Sequence, residues 1–252
     1  MTIVEAIPVL RDNYVWAIHD GRGAVLVDPG ESPPILAWLA RRGITPVAIL
    51  VTHHHADHVG GIPDLLARYP MPVHGPTRGA APALPVAEGD IVELPGLGWH
   101  LSVMETPGHT LDHVCYLGHG HLFCGDTLFS CGCGRLFEGT PEDMHGSLAR
   151  IAALPGDTLV HCAHEYTLAN IAFAQEVEPD NPALLERHAQ ALKLRKAGQP
   201  TLPVTLATER DTNPFLRCDL ENVRVAASQH TGTPVAAGVQ TFAAVRAWKD
   251  AS

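Results

Sequence analysis

Residues 52–61 read THHHADHVGG, which places four histidines and an aspartate between His53 and His58. Immediately before them runs VAILV (47–51), a short continuous apolar run of the kind that forms a buried strand. The ligand-rich segment therefore lies at the C-terminal edge of a strand, in the loop before a helix expected to start near Val59. In a tight loop the alternate residues His53 and His55 can point the same way, while Asp57 and His58 turn to the other side. One loop can thus serve two adjacent metal ions. His54, in the middle of the triplet, is expected to be a non-ligand, because its neighbours occupy the alternate face.

Each ion needs about four ligands, so other segments have to contribute. Candidates stand where further strands end: His109 in TPGHT, Asp126 in CGDTLF and His164 in CAHEYT. A carboxylate has two oxygens and can bridge two metals, and Asp126 is the natural bridge. The set then closes: His53, His55, His109 and Asp126 around one ion, Asp57, His58, His164 and Asp126 around the other. Both ions retain room for a shared water, and an open position is the mark of a catalytic rather than a structural site.

The rest of the chain suits a soluble enzyme. It has 252 residues, 46% of them apolar, enough for one large domain or for a main domain with a smaller partner. The net charge of −10 excludes non-specific nucleic-acid binding. Residues 1–164 hold 17 acids and 8 bases, residues 165–252 hold 10 and 9, so any anion-binding role falls toward the C-terminus. With no basic segment leading into an apolar one at the start, and no apolar run of ~18 residues, a cytoplasmic protein without a membrane partner is expected. The six cysteines form no CxxC pair and read as reduced, mostly buried thiols; the CGC at 131–133 is too tightly spaced for a usual structural zinc site.

Strands are expected at YVWAIHD and GAVLVDPG, then a helix over SPPILAWLARRG with Ser32 as cap, Pro33 in the first turn and Gly43 as stop. Further strands fit WHLSVMET, HVCYLG, HLFCGD and TLVHCAH, and a helix fits PEDMHGSLARIAAL. From Tyr166 the texture turns helical. NPALLERHAQALKLRKAG carries Asn181 as cap, Pro182 in the first turn and Gly198 at the stop, and two more helices are expected over roughly 219–229 and 233–249. The boundary falls near residue 165.

THHHADHVGG, TPGHT, GDTLFSCGCGRLFEGT and HEYTLANIAFAQEVEP occur in this order. The set resembles the metallo-β-lactamase superfamily and, within it, glyoxalase II, the hydroxyacylglutathione hydrolases. HxHxDH alone identifies only the superfamily; GDTLF…GCG…EGT with HEYT narrows the resemblance to this family. It implies an α/β fold: an αββα metallo-β-lactamase sandwich over residues 1–164 with metals at the strand edges, then a smaller all-helical domain over 165–252 that helps bind glutathione. The division of ligands between the two ions agrees with the family's. The implied reaction is hydrolysis of S-(2-hydroxyacyl)glutathione, typically S-D-lactoylglutathione, to glutathione and D-lactate, the second step of methylglyoxal detoxification. Its nucleophile is a hydroxide held by two divalent ions and oriented by Asp57. Zinc is usual in the family, with iron and manganese also found.

The resemblance also points to substrate contacts. Arg135 and Phe137 stand at the positions of a family lysine and tyrosine, and Phe137 lacks the tyrosine's hydroxyl. Tyr166 matches a family substrate-contacting tyrosine, and Arg246 and Lys249 match a basic pair near the C-terminus. Ala163 replaces the glycine usual before the last ligand histidine, with a small backbone adjustment expected. The implied partner is a small-molecule glutathione thioester, with no nucleic acid and no membrane, acting on a monomer or else a dimer. The rival readings are a single-iron persulfide dioxygenase on the same fold and a metal-binding or scaffolding protein without turnover.

Overall fold

A computed structural model describes residues 1–77 and 83–252. Cα packing divides the chain into two units. The first comprises Met1–Glu105, Asp112–Gly125 and His161–His164, and the second comprises Thr106–Leu111, Asp126–Val160 and Glu165–Ser252.

In the first unit, strands β1 (Ile3–Val9), β2 (Asn13–His19), β3 (Gly23–Val27), β4 (Thr45–Leu50), β5 (Val73–Gly75) and β6 (Ala83–Pro85) form one sheet in chain order. Short turns leave β1–β3 antiparallel, whereas β3 and β4 run parallel because helix α1 (Ser32–Arg42) makes the crossover between them. α1 buries Ile35, Trp38 and Leu39 in one cluster with Ala24, Leu26, Ile49 and Val51 of the sheet region. Gly43 ends the helix in the left-handed region (φ +66°), as expected. Ser32 is not the cap. Glu31 occupies that position without a side-chain cap bond, and the Ser32 hydroxyl donates instead to Asp64 at 2.6 Å. The helix expected near Val59 is divided into a single turn, α2 (Ala56–Val59), and α3 (Ile62–Arg68).

A second, antiparallel run in the same unit comprises β7 (Ile91–Leu94), β8 (Trp99–Glu105), β9 (Val114–Gly118) and β10 (His121–Gly125), with the end of β13 (Leu159–Cys162) beside β10. The two sheets meet through named contacts. Trp16 lies edge-on to His161 at 4.5 Å and its Nε1 donates to the Cys162 carbonyl at 2.9 Å. The Tyr116 hydroxyl donates to the Val51 carbonyl at 2.9 Å.

The second unit contains the hairpin β11 (Leu128–Phe129)–β12 (Gly132–Cys133), helix α4 (Pro141–Ala152), and the pairing of Leu159 and Val160 with β14 (Val204–Thr205). Helices α5 (Thr167–Val177), α6 (Pro182–Lys196), α7 (Leu206–Thr212), α8 (Glu221–Thr231) and α9 (Val239–Ala251) complete it. Asn181 caps α6 as expected, its Oδ1 accepting from the Ala183 and Leu184 amides. The last two helices begin later than the sequence suggests: Gly232 at φ +70° stops α8, and α9 starts after Gly238. Ile171, Ala174 and Leu184 form one buried cluster, and Phe173, Phe215 and Phe242 another series of ring contacts. Cys115, Cys124, Cys131, Cys133, Cys162 and Cys218 are free and buried. Among the described residues no helix is long and apolar enough to cross a membrane.

Candidate metal centre

The first unit carries His53, His55, Asp57, His58 and His164. Two strand ends build their frame. Asp28, at the end of β3, accepts from the Thr52 amide and the Thr52 hydroxyl, both at 2.7 Å, and its Oδ2 lies 3.1 Å from His58 Nδ1. One buried carboxylate thus fixes both ends of the histidine loop. Gly30 has to be glycine, because a Cβ there would lie 1.8 Å from the Asp57 carbonyl oxygen.

His53 Nε2 and His55 Nδ1 stand 3.1 Å apart, so the two imidazoles converge as the alternation argument expects. Asp57, His58 and His164 each bring a ligand atom within 4.8 Å of the others'. Asp57 Oδ2 is 3.5 Å from His58 Nε2 and 3.4 Å from His164 Nε2. The remaining nitrogens of these histidines are committed: His58 Nδ1 to Asp28 and His164 Nδ1 to Asp12 at 2.8 Å. A carboxylate on the far nitrogen fixes the ring's orientation and leaves Nε2 to face a metal. Asn13 donates to Asp57 Oδ2 at 3.0 Å. The His164 hydrogen bond, with His58 and Asn13 beside it, holds the Asp57 carboxyl well below the usual carboxylate range. Imidazole and carboxylate donors in this arrangement suit divalent metal ions.

Ala163 keeps its ladder: its amide donates to the Gly125 carbonyl and its carbonyl accepts from Tyr14. The ring of His113 stacks on His53 at 5.0 Å. His54 Nδ1 lies 3.3 Å from Asp112, so this imidazole is engaged elsewhere. His54→Ala is therefore expected to retain its metal, whereas His53→Ala and His55→Ala lose at least about tenfold in affinity. Elemental analysis of the three variants decides; equal loss in all three would refute the alternation.

The second unit carries His109 and Asp126, with His109 Nε2 and Asp126 Oδ2 3.4 Å apart. His109 Nδ1 is 2.9 Å from the Arg135 carbonyl, and the His109 carbonyl accepts from the Phe137 amide at 3.2 Å. Gly134 lets this loop approach, since a Cβ there would lie 1.9 Å from the Asp126 carbonyl oxygen. A cavity of about 700 Å³ in this unit is lined by His109 and Asp126 together with Arg135, Phe137, Tyr166, Arg246 and Lys249.

These five substrate candidates differ in character. Phe137 is 63% exposed and presents its ring edge-to-face with His109 at 5.2 Å. Arg246 is only 4% exposed; it donates to the Cys133 carbonyl at 3.0 Å and to Asp250 at 2.9 Å. It ties α9 to the GCG loop. Lys249 sits with Nζ 4.8 Å above the Phe173 ring, and burial, reinforced by the Arg246 charge, pushes its pKa down to about 8. Burial pushes the Cys131 thiol up to about 12 and raises Cys133 and Cys218 as well, so none of these supplies a thiolate nucleophile.

Sequence reading missed the clamp beneath the β11–β12 loop. Glu209 accepts from the Ser130 hydroxyl at 2.7 Å and the Cys131 amide at 2.8 Å. Asn213 donates to the Phe129 and Gly132 carbonyls at 3.1 and 2.9 Å, and Arg187 donates to Ser130 at 3.2 Å. The clamp holds Cys131 in the left-handed region at φ 57°, where a non-glycine residue is strained. The available signal was the spacing of Glu209 and Asn213, four apart around a helix turn.

Comparison with known proteins agrees with this geometry. Residues 9–164 match the family model for the metallo-beta-lactamase superfamily, and residues 165–252 match that for the hydroxyacylglutathione hydrolase C-terminus. The hydroxyacylglutathione hydrolase of Nitrosomonas eutropha is 47% identical over 252 residues, covering 98% of this chain and 99% of its own. That of Alkalilimnicola ehrlichii is 51% identical over 256 residues, covering both chains completely. Among solved structures, ETHE1 from Myxococcus xanthus superposes with a TM-score of 0.67 at 26% identity, covering 99% of each chain. Two family models that together span residues 9–252, and relatives about half identical over essentially their whole length, show that the chain belongs to the hydroxyacylglutathione hydrolases of the metallo-beta-lactamase superfamily.

Proposed function

We propose that this chain hydrolyses S-(2-hydroxyacyl)glutathione, typically S-D-lactoylglutathione, to glutathione and D-lactate, in the second step of methylglyoxal detoxification. The observation that carries the reading is the cavity whose lining combines the ligand candidates His109 and Asp126 with the cations Arg246 and Lys249. Two divalent ions, zinc or else iron or manganese, would be held by His53, His55, His109 and Asp126 and by Asp57, His58, His164 and Asp126. This assignment rests on the ligand count and on the convergence of donors within each unit. Bound there, such ions supply Lewis acidity and bring the pKa of water toward ~7.

The chain's own residues do the rest. Asp57, held ionised by its neighbours, orients the attacking water. Lys249, Arg135 and Tyr166 bind the tripeptide, and Phe137 offers an apolar wall where the family's tyrosine would offer a hydroxyl. The leaving thiolate has a pKa of ~8.5 by analogy with cysteine and departs without a general acid. The substrate is a small molecule, and the enzyme acts as a monomer, or else a dimer, in the cytoplasm.

The direct test measures metal content and thiol release from S-D-lactoylglutathione on the same preparation. Fully metallated protein that releases no thiol, or that instead consumes oxygen with glutathione persulfide, would sink the reading. The lysine supplies a second check. Below a pKa of about 8 Lys249 is a cation that attracts a carboxylate; above it the charge is lost. The charged groups around it are Arg246, Asp250, Glu176 and the thiol of Cys133. KM is therefore expected to rise roughly fivefold between about pH 7.5 and 9. Lys249→Arg, which keeps its charge, should remove that rise.

A further inference from the structure

The chain has three lysines. Lys193 and Lys196 lie exposed on α6, whereas Lys249 on α9 is half-buried in the wall of the 700 Å³ cavity. Its setting is unusual in three ways. Nζ stands over an apolar ring, Phe173. The neighbouring charge that acts on it most is another cation, Arg246, ahead of the carboxylates of Asp250 and Glu176. The adjacent carboxylate, Asp250, is engaged by Arg246 at 2.9 Å and by Arg135 at 3.5 Å, and among the described residues no acceptor forms a hydrogen bond or ion pair with Lys249 Nζ. A lysine amine that is desolvated, flanked by a cation and unpaired is one poised to act as a nucleophile.

We propose that Lys249 is an acyl-acceptor site, modified by thioesters that enter the cavity. The step balances without a co-reactant. The neutral amine attacks the thioester carbonyl, a C–N bond forms, the C–S bond breaks, the thiolate leaves and the amine's proton passes to water. The product is an amide at Nζ. The inference rests on the preceding reading only in taking thioesters as the molecules that the cavity meets. A tripeptide carboxylate seated on Nζ keeps the lysine protonated, so transfer belongs to molecules that arrive acyl end first. Acylation removes a cation from the cavity wall and so weakens binding of the next anionic substrate. Sustained thioester excess thereby throttles the enzyme.

An ordinary lysine has a pKa near 10.4, so at neutral pH the neutral fraction of Lys249 is about a hundredfold larger. Its lower basicity gives back about a factor of ten, by the behaviour of other nucleophiles. The net preference is roughly tenfold.

The test incubates the metal-loaded enzyme with replenished S-D-lactoylglutathione at pH 7.5. Thiol release and lactoyl-lysine, the latter by peptide mass spectrometry, are read from the same tube. Lactoylation of Lys249 at least about tenfold above Lys193 and Lys196, reduced by the unreactive S-methylglutathione, supports the proposal. So does a Lys249→Arg variant, matched in charge, whose total acylation falls to the level of the two α6 lysines. Equal acylation of all three lysines, or indifference to S-methylglutathione, overturns it. Hydrolysis without lactoylation of Lys249 overturns it while leaving the hydrolase reading intact. Lactoylation of Lys249 without catalytic hydrolysis supports it and removes the hydrolase reading.

Discussion

Asp126→Ala should lose metal from both positions and hydrolyse S-D-lactoylglutathione about 10³-fold more slowly or worse, roughly 4 kcal/mol of transition-state stabilisation. In the proposed assignment His53, His55 and His109 supply three donors and Asp57, His58 and His164 three more, and a fourth for each ion would come from one shared carboxylate. Asp126 is buried, its Oδ2 stands 3.4 Å from His109 Nε2, and the loop around it closes tightly enough that Gly134 tolerates no side chain. Asp126→Asn keeps one carbonyl acceptor and should retain more metal than the alanine variant. Elemental analysis with steady-state kinetics measures both effects. Full two-ion occupancy in Asp126→Ala would end the bridging assignment.

Glu209→Ala is expected to destabilise the protein by about 3–5 kcal/mol, the range seen when one partner of a buried charged network is removed. Glu209 is fully buried, and burial raises its pKa against the pull of Ser130, the Cys131 amide and Asn213. Its loss leaves the Cys131 amide without its carboxylate, and the buried Arg187 without the negative charge that Ser130 relays to it. For a chain of this length the fall in Tm is roughly 10 °C. The β11–β12 loop forms part of the cavity wall through Phe129 and Cys133, so KM for S-D-lactoylglutathione should rise as well. Glu209→Gln keeps the shape and one acceptor oxygen and should cost less than the alanine. A Tm within a degree of the parent for Glu209→Ala would show that the clamp is dispensable.

Arg246 and Lys249 show how far spacing carries an argument. Three apart on a helix, they read as a matched pair of cations. In the structure Arg246 donates through its two terminal nitrogens to the Cys133 carbonyl and to Asp250, whereas Lys249 Nζ makes no hydrogen bond among the described residues, and both side chains line the cavity. Removing both would therefore disturb the loop as well as the binding charge, and single substitutions at Lys249 isolate the latter.

Local rules determined much about this protein. An apolar run followed by ligand-type residues places those residues at a strand edge, because strand burial and turn chemistry are properties of neighbouring residues. β4 ends at Leu50, directly before the loop that carries His53 to His58. Asn181 with Pro182 marks a helix start for the same reason, and the ordered motifs, read together, name the family. What only the tertiary structure decided is who pairs with whom. Asp28 lies 30 residues from His58 and Asp12 lies 152 from His164, yet these carboxylates fix the two imidazoles. Ser32 gives its hydroxyl to Asp64 rather than to a helix end. A side chain's chemistry states which bonds it can form; burial and the partner brought by a distant segment decide which bond forms and which charge, as at Lys249, is left unpaired.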